Sequence, residues 1–341
     1  MIDHLMQNNN IHPCNITAGV VGLGLMGTSI IVSLLIAGHK VTGIAPLPED
    51  MSLAPGRIRK HLEHCEKSGL LFQPLDTYLD QLTLSEDYNE LISCNLVLEC
   101  VIEIQEIKAL VYEKIEAIVK PTCVIASNTS AIPISDLQKL VERPERFLGI
   151  HWAEPSYLTR FMEITCGNKT VNEYADWIFQ LAYHWGKEPT VLRKDIRGFV
   201  TNRLMYAVYR EGLNLAEKGE ATLEDIDKAF HYDAGSWMTL MGIFRRMDFL
   251  GLKDYEEIFK NTFPVLCNDK NVPALMQEIV DKKLRGTQSL KGLYNYSNLE
   301  AEKLEKAFAL FNEDMYQLAA LYPSADTNAS FFPPEKVTIE D

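Results

Sequence analysis

The first half of the chain alternates short apolar runs with longer amphipathic segments. Apolar runs of strand length lie at residues 16–21, 41–45, 95–101, 123–127 and 147–150. Segments of helical length separate several of them, at residues 26–37, 57–68 and 104–119. Continuous apolar runs are typical of strands that are buried on both faces of a parallel sheet. Strands that alternate with helices therefore predict an α/β fold.

The pattern changes after about residue 194. Residues 198–218 form a long helix candidate that is rich in Leu, Met and Tyr. Thr222, followed by two acidic residues, is typical of a helix start, and helical segments continue to about residue 321. We predict a Rossmann-type, doubly wound parallel sheet followed by an all-helical C-terminal domain. The predicted boundaries are an N-terminal tail at 1–14, an NAD(P)-binding domain at 15–193, and a helical domain at 194–341 whose irregular tail begins near 322.

A glycine-rich loop follows the first apolar run directly and has the spacing GxGxxG. In this spacing the first glycine permits a tight turn, the second lets the backbone approach a pyrophosphate, and the third lets helix and strand pack closely. The helix that follows offers free N–H groups to the phosphates. We predict that the loop binds a dinucleotide through Gly22, Leu23, Gly24, Leu25, Met26 and Gly27.

The second strand does not end in the acidic residue that commonly binds the ribose hydroxyls, because Ala45 stands in its place. Glu49 and Asp50 follow closely and can reach the ribose, which favours NAD. Arg57 or Arg59 can instead face the 2′-phosphate of NADP, or lie on a solvated helix face. We predict NAD as the coenzyme, with NADP as the alternative.

Composition narrows the class of partner. The chain of 341 residues has 33 basic and 47 acidic residues and a formal net charge of −14, which argues against nucleic acid as a partner. Its seven cysteines are scattered without metal-binding spacing, so we expect reduced thiols and no metal site. The polar start lacks a secretory pattern, and the longest apolar run, 30–37, is too short for a membrane span. We predict a cytoplasmic protein that binds a small-molecule substrate and no membrane.

Four further segments follow in order: ASNTS at 126–130, GIHWAEP at 149–155, FMEI at 161–164 and GFVTNR at 198–203. Together with the glycine loop they resemble the L-3-hydroxyacyl-CoA dehydrogenase family over about residues 16–296. The resemblance implies a nicotinamide-binding domain joined to a helical dimerisation domain. It also implies interconversion of 3-hydroxy and 3-keto groups on acyl thioesters, although some relatives act on free hydroxy acids.

The resemblance also implies catalytic roles. Oxidising a secondary alcohol removes the hydroxyl proton together with a hydride, and an imidazole can accept that proton near neutral pH. His151 matches the general acid/base of the family, and Glu163 matches the carboxylate that orients it. Ser130 and Asn202 match residues that hydrogen-bond and polarise the substrate oxygen. Taken singly, His151 and Glu163 are compatible with structural roles, but their order and spacing favour catalysis.

Several coenzyme contacts are implied in the same way. Glu103, Lys108 and Asn128 match positions beside the dinucleotide, although Lys108 is also compatible with a solvated helix surface. Glu154 stands where the family has an asparagine beside the nicotinamide. A carboxyl group there can repel a substrate carboxylate, bind a different polar group, or tune His151.

The basic segment at 57–68 bears on whether the substrate carries CoA. Arg57, Lys60, His61, His64 and Lys67 are spaced by three and four residues, which places them on one helix face. The resemblance places His61 and Lys67 beside CoA, and a solvated basic face is the alternative. Our first hypothesis is an NAD(P)-dependent dehydrogenase of a short 3-hydroxyacyl-CoA. The alternatives are a dehydrogenase of a free hydroxy acid, of gulonate or carnitine type, and a coenzyme-binding protein without turnover.

A homodimer is also implied by the resemblance. The apolar residues that start the helical domain can supply either a dimer interface or the core of the domain, and the sequence does not separate these two interpretations. They are Phe199, Leu204, Met205, Val208 and Leu215.

Overall fold

The computed structural model describes residues 13–321. Residues 1–12 and the predicted irregular tail from 322 lie outside this range. The described chain divides into two compact units, one formed by residues 13–199 with 309–321 and the other by Val200–Phe308.

The first unit is built on an eight-stranded sheet with the order β3-β2-β1-β4-β5-β6-β7-β8. All neighbouring strands are parallel except β6 and β7, which pair antiparallel. This arrangement, followed by helices, confirms the predicted fold class. The strands are β1 (Thr17–Val21), β2 (Lys40–Ile44), β3 (Leu82–Ser85), β4 (Leu96–Glu99), β5 (Val124–Ser127), β6 (Phe147–Trp152), β7 (Phe161–Cys166) and β8 (Glu188–Leu192).

Helices pack on both faces of this sheet. Successive side chains of a strand point to opposite faces, so Val20 and Leu98 belong to one apolar cluster and Val21 and Val97 to the other. The strands of the middle of the sheet are therefore buried on both faces, as the sequence pattern predicts. The helices are α1 (Leu25–Ile36), α2 (Pro48–Lys67), α3 (Leu75–Leu79), α4 (Gln105–Glu116), α5 (Ile134–Leu137) and α6 (Asn172–His184).

Five elements escaped the sequence pattern, namely the strands β3 and β8 and the helices α3, α5 and α6. The two strands are the edges of the sheet and are only partly buried, so they lack a continuous apolar run. Helix α2 also begins nine residues before the basic repeat that predicted it. Its start at Pro48 is favourable because proline fits the first turn of a helix, where no backbone donor is needed.

The second unit is helical. Thr222 caps its second helix as predicted, because its hydroxyl accepts a hydrogen bond from the backbone N of Asp225 at 3.1 Å. Its helices are α7 (Thr201–Glu217), α8 (Leu223–Ala229), α9 (Gly235–Met241), α10 (Ile243–Leu250), α11 (Leu252–Thr262) and α12 (Ala274–Asp281), and α13 (Asn298–Leu321) begins in this unit. No helix within residues 13–321 is both long and apolar enough to cross a membrane.

The side chains of the second unit are mostly exposed to solvent in the single chain. Among the side chains that the structure describes between residues 200 and 308, none is buried. Large apolar side chains of several helices are exposed, including Leu204, Tyr209, Phe244 and Phe249. The apolar faces of these helices therefore lie at the surface of the single chain.

Candidate active site

The glycine loop has the shape that a pyrophosphate requires. Gly22 has a φ of +101°, in the region that favours glycine. A Cβ on Gly27 would lie 1.8 Å from the carbonyl oxygen of Gly22, so only glycine lets α1 approach β1 this closely. A Cβ on Gly24, at the N-cap of α1, would meet nothing within 4 Å. The loop thus leaves open space at the positive end of α1, which fits a dinucleotide.

The residues that follow β2 lie beside the glycine loop. Ala45 follows β2 and is buried, so no carboxylate stands at the end of that strand. Nη1 of Arg57 donates to the carbonyl oxygen of Leu23 at 3.2 Å and lies 3.9 Å from a carboxylate oxygen of Asp50. Arg57 is therefore beside the loop, with an acidic neighbour. Arg59 instead pairs with Asp76 at 3.3 Å.

A histidine and a glutamate face each other across the antiparallel strands β6 and β7. His151 and Glu163 are directly paired in the register of the two strands. Nδ1 of His151 lies 3.4 Å from Oε2 of Glu163, a contact at the long end of hydrogen bonding, as is common before substrate binds. Glu163 is 1 % exposed and His151 15 % exposed, so the carboxylate supports the ring from inside. In the described part of the chain, Nε2 of His151 has no hydrogen-bond partner, which leaves it for a substrate.

Two aromatic rings fix the plane of this imidazole. The ring centroid of Phe161 lies 5.2 Å from that of His151 and the centroid of Phe199 lies 6.2 Å away. Phe199 is fully buried and has a φ of +50°, next to Gly198 at +80°, so the GFVTNR segment turns sharply to place this ring. Phe199 was predicted to supply an apolar face or the core of the helical domain, so its contact with His151 is a new feature of the site.

The residues after β5 lie beside the histidine strand. Oδ1 of Asn128 accepts a hydrogen bond from the backbone N of Trp152 at 3.0 Å, next to His151 in β6. Thr129 is buried, whereas Ser130 is exposed. Because β5 and β6 are parallel neighbours, the loop after β5 and the end of β6 lie at the same edge of the sheet. Asn128, Ser130 and His151 are therefore brought to one edge.

Glu103 and Lys108 belong to a charged group that also contains Glu99, and of these three residues Glu99 and Lys108 are buried. Nζ of Lys108 lies 2.7 Å from Oε1 of Glu99 and 3.0 Å from Oε2 of Glu103. Lys108 is 1 % exposed, so it does not lie on a solvated helix surface. Glu99 was missed by the sequence analysis. The available signal was a single acidic residue inside an apolar strand, which is rare unless the charge is paired.

Glu154 occupies a strongly desolvated position three residues after His151. Burial outweighs a hydrogen bond with Ser29 of α1, which alone would lower the pKa, and raises the pKa of the carboxyl to about 7. Its Oε2 is buried and has no hydrogen-bond partner among the described residues. An unsatisfied buried oxygen between the first turns of α1 and the histidine strand fits a polar ligand group at that place. The position of Glu154 beside the nicotinamide stays a prediction.

The two residues predicted to contact CoA differ in their surroundings. Nδ1 of His61 forms a hydrogen bond of 2.9 Å with the hydroxyl of Tyr157, in the loop after β6. Burial, together with the neighbouring His64, Lys60 and Arg57, lowers the pKa of His61 to about 4, so His61 is neutral at pH 7. Lys67, at the end of α2, is exposed.

Asn202 lies in the first turn of α7, in the second unit. Its role at the substrate oxygen stays a prediction.

Comparison with known proteins agrees with this arrangement. The model of the 3-hydroxyacyl-CoA dehydrogenase NAD-binding domain matches residues 17–196, and that of the C-terminal domain of the same family matches residues 198–296. The chain is 31% identical over 279 residues to a probable 3-hydroxybutyryl-CoA dehydrogenase of Deinococcus radiodurans, which covers 82% of this chain and 99% of that protein.

Other relatives have names that give a substrate other than a CoA thioester. The chain is 29% identical to the 5-formyl-3-hydroxy-2-methylpyridine 4-carboxylate 5-dehydrogenase of Mesorhizobium japonicum, over 85% of this chain and 96% of that enzyme. A crystal structure of an enzyme with this activity, described as an NAD+ dependent dismutase, has a TM-score of 0.81 at 26% identity and covers 89% of this chain and 97% of that one. The L-carnitine dehydrogenase of Staphylococcus epidermidis is 28% identical, over 91% of this chain and 96% of that enzyme.

Both domain models match in order and together cover most of the chain. The chain therefore belongs to the 3-hydroxyacyl-CoA dehydrogenase family and is an NAD-dependent oxidoreductase that acts on CH–OH groups.

Proposed function

We propose that the substrate is a small, free hydroxy acid, which the protein interconverts with its keto form. The observation that carries this proposal is the charge of helix α2, which the family resemblance places beside CoA. CoA brings several phosphate charges and needs a positive surface. Apart from its two histidines, α2 has four basic and four acidic residues and therefore no net formal charge. They are Arg57, Arg59, Lys60 and Lys67, and Glu49, Asp50, Glu63 and Glu66.

The contacts of α2 support the same substrate class. Arg57 and Arg59 have acidic neighbours in Asp50 and Asp76. His61 is neutral and hydrogen-bonded to Tyr157. Two of the relatives are named for substrates that are free acids, a pyridine carboxylate and carnitine. The helix thus offers little uncompensated positive charge to a CoA tail.

In the proposed reaction, His151 transfers the hydroxyl proton through Nε2. The glycine loop, Gly22 to Gly27, would hold NAD, which would supply the hydride acceptor for the alcohol carbon and, as NADH, the hydride donor for the keto carbon. Glu163 holds Nδ1 of the ring and stabilises the imidazolium that forms when Nε2 takes the proton. Ser130 hydrogen-bonds the substrate oxygen, which stabilises the charge that develops on it.

A short 3-hydroxyacyl-CoA is the second candidate. Lys67 is exposed on α2, and the relative from Deinococcus radiodurans is named as a 3-hydroxybutyryl-CoA dehydrogenase.

Free acids are expected to be turned over at least about tenfold more efficiently than the matching thioesters. The measurement follows NADH oxidation with acetoacetate and with acetoacetyl-CoA, and NAD reduction with carnitine, gulonate and 3-hydroxybutyrate. Lys67→Ala is expected to leave KM for the free acid unchanged, since the exposed cation lies on the helix assigned to CoA.

Turnover of the thioester alone, with a higher KM in Lys67→Ala, would overturn this proposal in favour of acyl-CoA. NADH binding without turnover of any of these compounds would contradict both substrate classes.

The second unit supports a proposed homodimer. Its amphipathic helices expose their apolar faces, and none of its described side chains between residues 200 and 308 is buried in the single chain. A unit of this size needs buried apolar area to be stable, and a second copy can supply it through an isologous contact. Light scattering is expected to give the mass of two chains. The mass of one chain would contradict the dimer.

A further inference from the structure

Glu99 ends strand β4 inside the sheet, and its side chain is fully buried. A carboxylate in such a place is unfavourable unless its oxygens accept several hydrogen bonds. Glu99 accepts from the backbone N of Val101 at 2.8 Å and from the hydroxyls of Tyr112 and Ser127, each at 2.7 Å. Burial and the Glu99 carboxylate raise the pKa of Tyr112 well above its usual range, so the hydroxyl keeps its proton. Donors from three elements thus hold Glu99 in one orientation.

Lys108 completes the surroundings of Glu99. Its Nζ donates to both carboxylate oxygens of Glu99, at 2.7 and 2.9 Å. The same nitrogen lies 3.0 Å from Oε2 of Glu103. Burial lowers the pKa of Lys108, but the two carboxylates raise it by more, so the lysine is a cation. Because it is enclosed by these carboxylates and 1 % exposed, its ammonium is placed to orient Glu103 rather than to meet a phosphate.

Glu103 connects Lys108 to the loop after β5. Its Oε1 accepts hydrogen bonds from the backbone N of Ser130, at 3.0 Å, and from the hydroxyl of Thr129. Burial raises the pKa of Glu103, but the hydrogen bonds from Thr129 and Lys108 outweigh this effect and leave the pKa below its usual value. Glu103 is therefore an anion that binds Lys108 with one oxygen and the loop with the other.

These contacts form one path from the interior of the sheet to the loop. A glutamate that is 38 % exposed can adopt many side-chain conformations unless its partner is fixed. Lys108 is fixed because Glu99 binds it from inside. We propose that Glu99 is a positioning residue of the dehydrogenase, which acts through Lys108 and Glu103 to hold the loop that presents Ser130. This inference rests on the role of Ser130 in the proposed function.

A double-mutant cycle tests this inference. Glu99→Gln keeps the size of the side chain but removes its charge and turns an NH₂ group toward hydrogen-bond donors. It is expected to lower kcat/KM at least about tenfold. In the Ser130→Ala background the same substitution is expected to lower kcat/KM by less than about threefold, because the group that Glu99 positions is already missing.

The control is Glu116→Gln. Glu116 is also a buried acid, 6 % exposed and paired with Arg146 at 3.5 Å, but its contacts lie away from Ser130. The Glu116→Gln substitution is expected to leave kcat/KM unchanged. Equal losses from Glu99→Gln in both backgrounds would overturn the inference, since a general structural effect does not depend on Ser130. Should Glu99→Gln fail to fold, Tyr112→Phe and Ser127→Ala, which each remove one donor to Glu99, replace it in the same cycle.

Hydrogen exchange provides a readout without any substrate. The amide of Ser130 donates to Glu103, so its exchange rate reports how firmly the loop is held. Glu99→Gln is expected to speed its exchange at least about tenfold, and Glu116→Gln is not. An unchanged rate would overturn the inference even in an active enzyme. Faster exchange in a protein without turnover would support the positioning path and contradict the proposed function alone.

Discussion

His151→Ala is expected to lower kcat by about a thousandfold or more, because general acid/base catalysis by a positioned histidine contributes on this order. The substitution removes the group whose Nε2 takes the substrate proton. It leaves the glycine loop intact, since His151 lies in β6 and makes its hydrogen bond to Glu163. NADH affinity is therefore expected to change by less than about threefold. Steady-state NADH oxidation and a fluorescence titration with NADH measure the two effects.

Glu163→Gln is the matched substitution for this prediction. It keeps an acceptor for Nδ1 of His151 but removes the negative charge that stabilises the imidazolium. A smaller loss of kcat than in His151→Ala is expected, again with nearly unchanged NADH affinity. Turnover within a few-fold of the wild type in His151→Ala would show that another group transfers the proton.

Two substitutions in the glycine loop are expected to separate coenzyme binding from stability. Gly24→Ala adds a methyl group to open space, and the φ of −68° at Gly24 suits alanine. Its melting temperature should therefore stay near that of the wild type, while NADH affinity falls at least about tenfold because the methyl group occupies the place of the pyrophosphate. Gly27→Ala places the new Cβ 1.8 Å from the carbonyl oxygen of Gly22. It is expected to destabilise the protein by about 1–3 kcal/mol or more and to weaken NADH binding as well.

Thermal unfolding and NADH titration of both variants check this prediction. Wild-type affinity in Gly24→Ala would contradict the position assigned to the pyrophosphate. A wild-type melting temperature in Gly27→Ala would contradict the close contact between helix and strand.

The fold was predictable where the sheet is most buried. Strands β1, β4 and β5 are covered on both faces and give continuous apolar runs. The edge strands β3 and β8 are half-buried, so polar residues interrupt their pattern. The antiparallel pairing of β6 and β7 was foreseen only through the expected meeting of His151 with Glu163.

The parts of the site that are formed by contiguous sequence motifs were predictable from the sequence. The glycine loop is a contiguous motif, and its close contacts follow from its spacing. The partners of Glu99 come from the segment after β4, helix α4 and strand β5, which no local pattern connects. His61 also forms a hydrogen bond with Tyr157, which is 96 residues away. Contacts of this kind arise only when distant elements pack together.

The register of β6 and β7 has a consequence for how this scaffold can evolve. The histidine–glutamate pair is set by backbone pairing, so a one-residue insertion in either strand would turn one partner to the opposite face. Substitutions in the connecting loop, such as Glu154 for asparagine, leave that pairing unchanged. The residues around a substrate can therefore change during evolution while the histidine–glutamate pair is retained. Related chains that keep this pair are thus expected to differ in their substrates.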